Sequence, residues 1–149
     1  MMTVRDLMIF WSVLVFFLVP NLGASYVVVG NGICECNSCD DCSMALNSPL
    51  CTYIKLNLNI THQVGSCIHN PSNFTNKTFD CQGHVIEGDN AGTDYGFYLS
   101  SKSKNTIANC LVRGFYSGFY LLSSSNQYFS KQYSIFQYLW ISNHVLILQ

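Results

Sequence analysis

The amino-acid sequence predicts an all-β fold wound as a solenoid: a parallel β-helix of few coils, each about 22 residues long, behind an N-terminal disulfide-rich cap. Three observations predict it. First, Tyr95-Gly96-Phe97-Tyr98-Leu99-Ser100-Ser101 returns as Ser117-Gly118-Phe119-Tyr120-Leu121-Leu122-Ser123, shifted by 22 residues, and a period of about 20 to 30 residues marks stacked repeats. Second, Asn105-Thr106-Ile107-Ala108-Asn109-Cys110-Leu111-Val112-Arg113-Gly114 lies between the copies, a run of short β-prone pieces broken by Asn and Gly. Third, eight cysteines all follow an apolar N-terminal segment, which fits an oxidising compartment.

That segment opens the chain. Arg5 gives a short positive start, Leu7 to Val19 is an apolar run broken only by Ser12, and Pro20-Asn21-Leu22-Gly23-Ala24-Ser25 follows. This reads as a secretory signal peptide over residues 1–25, cut near Ala24 or Ser25. The run is short for a membrane span, which needs about 20 apolar residues. A membrane partner is therefore expected only if the segment stays uncleaved. The location implied is secreted or cell surface. Charged residues make up 10% of the chain and the net charge is −1, so no basic patch exists for nucleic acid.

Residues 26–69 form the cysteine-rich cap and the first strands. Cys34, Cys36, Cys39, Cys42 and Cys51 crowd together, followed by Cys67, Cys81 and Cys110. Cys36-x-x-Cys39-x-x-Cys42 matches an iron–sulfur run in outline, and paired Cys-x-x-Cys units can bind zinc. The ferredoxin spacing closes on Cys-Pro, whereas Ser43 follows Cys42 here. In an exported chain with an even count, disulfides are the favoured reading, and on the order of 100 pairings are open. Such a head would cover the unpaired backbone of a first coil. Ser43-Met44-Ala45-Leu46-Asn47 suits a short helical turn before Pro49, and Thr52 to Ile60 reads as strand with Tyr53, Leu58 and Ile60 as its apolar set.

Residues 70–126 hold the coils. Asn70-Pro71 marks a turn, and Phe79 begins the repeat. Val85-Ile86-Glu87-Gly88 is the counterpart of Leu111-Val112-Arg113-Gly114, with Asp89-Asn90-Ala91-Gly92-Thr93-Asp94 inserted before Tyr95, so this coil is longer than the next. Each coil divides into three short strands with Gly, Asn or Ser corners, stacked at about 4.8 Å. Phe97 then lies over Phe119, Tyr98 over Tyr120 and Leu99 over Leu121. Alternation puts Phe97, Leu99, Phe119 and Leu121 inside and the hydroxyl-bearing Tyr98 and Tyr120 outside. Ile107 and one of Leu111 and Val112 fill the other walls.

The phrases Phe79-Asp80-Cys81-Gln82-Gly83-His84-Val85-Ile86, Asp94-Tyr95-Gly96-Phe97-Tyr98-Leu99, Asn105-Thr106-Ile107-Ala108-Asn109-Cys110 and Ser117-Gly118-Phe119-Tyr120-Leu121 resemble right-handed parallel β-helix repeat proteins. They are most similar to the NosD-like branch of the pectin-lyase-like group, described as carbohydrate-binding proteins and sugar hydrolases. The resemblance spans Phe79 to Asn126, about a third of the chain. It implies a right-handed coil and a polysaccharide or cell-surface glycan as partner, and says little of activity, because one fold hosts many functions.

Residues 127–149 break the repeat. Gln127 to Trp140 has no Gly and no corner Asn, and Val145-Leu146-Ile147-Leu148 is apolar where a cap should be polar. The segment is expected to be a truncated or frameshifted continuation of a longer solenoid; the rival is a real strand or helix over the last coil.

Sugar-cleaving chemistry on this architecture needs paired carboxylates, or a carboxylate with Arg or Lys, along one groove. The available groups are Asp80, His84, Glu87, Asp89, Asp94 and Arg113. Glu87 and Arg113 occupy matching places before Gly88 and Gly114, where a solvated ion pair is the plainer use. The Asp89–Asp94 loop offers oxygens to calcium but lacks the density of a recognised site, and an ordinary Gly/Asn turn explains it. His62, His69, His84 and His144 compose no zinc motif. No metal and no cofactor is implied. Asn59-Ile60-Thr61, Asn73-Phe74-Thr75 and Asn76-Lys77-Thr78 are N-glycosylation acceptors in a host that glycosylates exported proteins. Tyr95, Tyr98, Tyr116 and Tyr120 are candidates for stacking on sugar rings. The functional expectation is a secreted, carbohydrate-interacting or structural scaffold without catalysis; the alternative is the N-terminal fragment of a polysaccharide lyase or glycoside hydrolase.

Overall fold

The computed structural model describes residues 26–130, 133–134, 139–142 and 146–148, the last three groups as backbone strands. The proposed signal peptide, residues 1–25, and His144 lie outside the described residues. Among those described, no helix is long and apolar enough to cross a membrane.

The chain is a parallel β-solenoid of about three turns. Its cap comprises β1 (Val27–Gly30), β2 (Ile33–Cys36) and α1 (Cys39–Asn47). The first coil runs through β3 (Tyr53–Leu56), β4 (Ile60–Gln63) and β5 (Ile68–His69). The second follows with β6 (Thr78–Asp80), β7 (Val85–Gly88) and β8 (Tyr95–Ser100). The third is β9 (Thr106–Ala108), β10 (Leu111–Arg113) and β11 (Ser117–Leu122). Beyond Asn126, β12 (Gln127–Ser130), β13 (Tyr133–Ser134), β14 (Leu139–Ser142) and β15 (Leu146–Leu148) pair with the preceding coil in the same order. The strands form three sheets: β1-β2-β3-β6-β9-β12-β15, β4-β7-β10-β13 and β5-β8-β11-β14, called first, second and third below.

Residues in register down the first sheet are Tyr53, Thr78, Thr106 and Tyr128, so the coils span 25, 28 and 22 residues. Only the third has the expected 22-residue length. The second carries the Asp89–Asp94 loop as anticipated, and that loop closes through an Asx turn in which the Ala91 N–H donates to Asp89 Oδ1 (3.0 Å). Corners are turned by polar residues in left-handed conformation, among them Asn70, Asn76, Gln82, Asn109, Ser123 and Asn126. Asn tolerates that region because its short side chain bonds the local backbone.

One continuous core fills the coil. Ile54, Phe79, Ile107 and Phe129 stack along the first sheet, Ile60, Ile86 and Val112 along the second, and Phe97 over Phe119 and Leu99 over Leu121 along the third, all buried. The expected interior residues Phe97, Leu99, Phe119, Leu121 and Ile107 are confirmed, and Val112 rather than Leu111 faces inward. In β3 the expectation is corrected. Ile54 and Leu56 point inward, Tyr53 is half-exposed, and Leu58, 56% exposed, belongs to the corner after the strand.

The cap closes the first coil. Asn31-Gly32 turns β1 back onto β2 as an antiparallel hairpin that extends the first sheet. The helix is longer than the five residues anticipated, because Ser38 caps it: its Oγ accepts from the Asp41 N–H (3.2 Å), with Asp40 and Asp41 in the first turn. Its C-terminal end is held by the buried Lys77, whose Nζ donates to the carbonyls of Leu46 and Ser48, each at 2.7 Å. Burial lowers the Lys77 ammonium below its ordinary pKa. All eight cysteines pair: Cys34–Cys51, Cys36–Cys42 and Cys39–Cys67 bind the cap to itself and to the first coil, and Cys81–Cys110 joins the second coil to the third.

Candidate functional site

Inward packing in the third sheet forces aromatic residues onto its outer face. Ile68, Phe97 and Phe119 share one register position and are buried, so their successors His69, Tyr98 and Tyr120 are aligned outward. His69 stacks on Tyr98 (ring centroids 4.8 Å, 17° between planes), and Tyr98 stacks on Tyr120 (5.5 Å, 10°). Trp140 holds the next position by backbone register. Beneath, Phe97 stacks on Phe119 (5.1 Å), and Phe79 and Phe129 meet them edge-on.

Tyr95 leans onto the column, 5.6 Å from Tyr98 and 5.1 Å from Tyr120, and Tyr116 meets Tyr95 at nearly a right angle (6.4 Å, 85°). Burial, then the neighbouring phenols of Tyr120, Tyr116 and Tyr98 and the Asp94 carboxylate, push the Tyr95 phenol up. It stays a neutral hydrogen-bonding hydroxyl at physiological pH.

The four tyrosines singled out in the sequence are thus brought together, with two differences. Tyr98 and Tyr120 turn ring faces to each other, so those faces are closed to a ligand. Tyr116, 48% exposed, offers the accessible aromatic surface. His69 was missed, because no repeat phrase surrounds it; its signal is that Ile68-His69 repeats the apolar-then-ring order of Phe97-Tyr98.

Of the charged candidates, the described contacts bring only Glu87 and Arg113 together. Arg113 Nε donates to Glu87 Oε1 (2.9 Å) on the second sheet, as the matched positions predicted, in an exposed ion pair. Asp80 lies on the first sheet, where it accepts from Tyr53 Oη (2.6 Å) and Asn109 Nδ2 (2.8 Å). Burial works to raise the Asp80 carboxyl. Hydrogen bonds from Tyr53, Asn109 and the Gln82 N–H, with the Lys55 charge, outweigh it and hold the group below its ordinary value. The Tyr53 phenol is pushed up to about 12 by its bond to Asp80, then by burial and the Asp80 charge. Among the described residues no three His, Cys, Asp or Glu side chains gather as metal ligands. The glycosylation candidates Asn59, Asn73 and Asn76 are exposed at coil corners.

No family model, curated protein or solved structure matches the chain.

Proposed function

We propose that this is an exported β-helix scaffold that holds carbohydrate on the outer face of the third sheet and does not transform it. The convergence of Tyr95, Tyr98, Tyr116 and Tyr120 with His69 on one face carries the reading. An exposed ring covers the apolar C–H face of a sugar, while phenol edges supply hydroxyls that donate and accept. Tyr116 takes the stacking role and the His69–Tyr98–Tyr120 column the hydrogen-bonding one. The likeness of the Phe79–Asn126 phrases to NosD-like repeats supports the ligand class, and four disulfides support an oxidising location.

The test is retention on a glycan array and on immobilised polysaccharides, comparing wild type with Tyr116→Ala. Losing one stacking ring, worth about 0.5–1.5 kcal/mol, weakens retention roughly 2- to 12-fold. Equal retention by the variant, or none by wild type, refutes the reading. Release of oligosaccharides on incubation would favour a polysaccharide lyase or hydrolase instead.

A further inference from the structure

The cap protects the first coil unevenly. It extends the first sheet through β2 and β1 and lays α1 against β5, but β4 is the terminal strand of the second sheet, with no described strand on its outer side. The chain breaks this edge partly by itself: the register of β4 with β7 slips between Ile60 and Gln63, and His62 adopts a φ of 55°. Apolar side chains nevertheless flank it, Leu58 at 56% and Val64 at 77% exposure. An uncovered edge with apolar flanks invites pairing with another chain.

Asn59 sits between Leu58 and β4 and opens the acceptor sequence Asn59-Ile60-Thr61. Its Oδ1 accepts from the Val85 N–H (3.0 Å) and lies 3.2 Å from His84 Nδ1, so the amide turns its oxygen toward the second coil. Nδ2, the other polar atom of the same planar group, belongs to an exposed side chain next to β4. No described residue accepts from it. Thr61, also exposed, supplies the required hydroxyl. Asn73 differs, because its Nδ2 donates to the Asn47 carbonyl at 2.6 Å and ties the first coil to the end of α1. Asn76 lies at the corner before β6, away from β4.

We propose that Asn59 carries an N-linked glycan, and that this glycan covers the open edge of β4. The donor is a polyprenyl-diphosphate-linked oligosaccharide. Nδ2 forms the bond to C1 of the first sugar, the C1–O bond breaks, the diphosphate leaves with the bonding pair, and one amide proton passes to a base of the transferase. Oδ1 keeps its bonds to the second coil. The inference rests on export of the chain and not on its binding sugars.

The test expresses the full chain in a glycosylating, secreting eukaryotic host. Peptides are treated with peptide N-glycosidase in heavy-oxygen water, which converts a glycosylated Asn into labelled Asp. Label at position 59 and none at 73 is the expected result. Thr61→Ala abolishes the acceptor while leaving Asn59 and its hydrogen bonds in place. This variant should lose the mass of one glycan and sediment as larger species where wild type is monomeric. Secreted protein with bare Asn59 overturns the proposal, and a Thr61→Ala variant that stays monomeric overturns the covering role.

Discussion

Replacing Gly96 by alanine strikes the stack at a point with no room to give. Gly96 of β8 and Gly118 of β11 occupy the same place on consecutive coils. A Cβ at Gly96 would stand 2.4 Å from Val112 Cγ1 and 2.6 Å from the Gly118 carbonyl oxygen, nearer than real Cβ contacts come. Val112 is buried and the second neighbour is backbone, so neither can swing aside. Overpacking of this kind costs about 1–3 kcal/mol, and the backbone contact places Gly96→Ala toward the upper end. Thermal unfolding followed by circular dichroism should show a Tm lower by roughly 8–15 °C. Gly118 is the comparison: among the described residues its Cβ would meet nothing nearer than Val112 Cγ1 at 3.6 Å, an ordinary contact. Gly118→Ala should therefore change stability by less than about 1 kcal/mol. Equal losses in the two variants would refute the register of the third sheet.

Other consequences are open to the same kind of measurement. Asn105 is fully buried, accepting the Lys77 N–H (3.1 Å) and donating to the Phe74 carbonyl (2.9 Å). Asn105→Leu strands both groups and should cost about 2–4 kcal/mol in urea unfolding; an unshifted midpoint would contradict this. Removing Cys81–Cys110 by a double serine substitution opens a closure of 29 residues and should cost about 3.5 kcal/mol on chain-entropy grounds. A thermal transition unchanged by that substitution, or by reductant in wild type, would show that the coils do not depend on their staples. The Tyr53 phenol is held at about 12 in the fold, above the roughly 10 of an unfolded chain. Its contribution is complete below the unfolded value and is lost as pH rises from there through the folded value. Tyr53→Phe should flatten that alkaline loss; identical pH profiles would count against the Asp80 bond.

Legibility in the sequence followed chemical likeness between stacked positions. Phe97 and Phe119, or Glu87 and Arg113, could be aligned because neighbouring coils repeat one phrase. The first coil could not, since Ile68-His69 opposes Phe97-Tyr98 without sharing a residue, and coil lengths of 25 and 28 defeat a fixed period. Tyr53, Leu58 and Ile60 read as the apolar set of one strand, but Ile54 and Leu56 take the core of β3, Ile60 opens β4, and Tyr53 serves as a donor to Asp80. The hairpin at Asn31-Gly32 carried a local signal, an Asn-Gly pair after a valine run. Cysteine pairing had none, because Cys39 and Cys67 are 28 residues apart and meet where α1 lies against β5. Of the aromatic face, the tyrosines were visible individually, while their mutual stacking depends on register.

The aromatic face of the third sheet depends on consecutive coils lying directly over one another, and the cysteines record that stacking covalently. Peptide mapping of the unreduced protein is the most direct test. The account predicts Cys81 linked to Cys110, with Cys34–Cys51, Cys36–Cys42 and Cys39–Cys67 confined to the cap and first coil. Finding Cys81 or Cys110 joined to any of the other six would contradict the stacking, and with it the aromatic face.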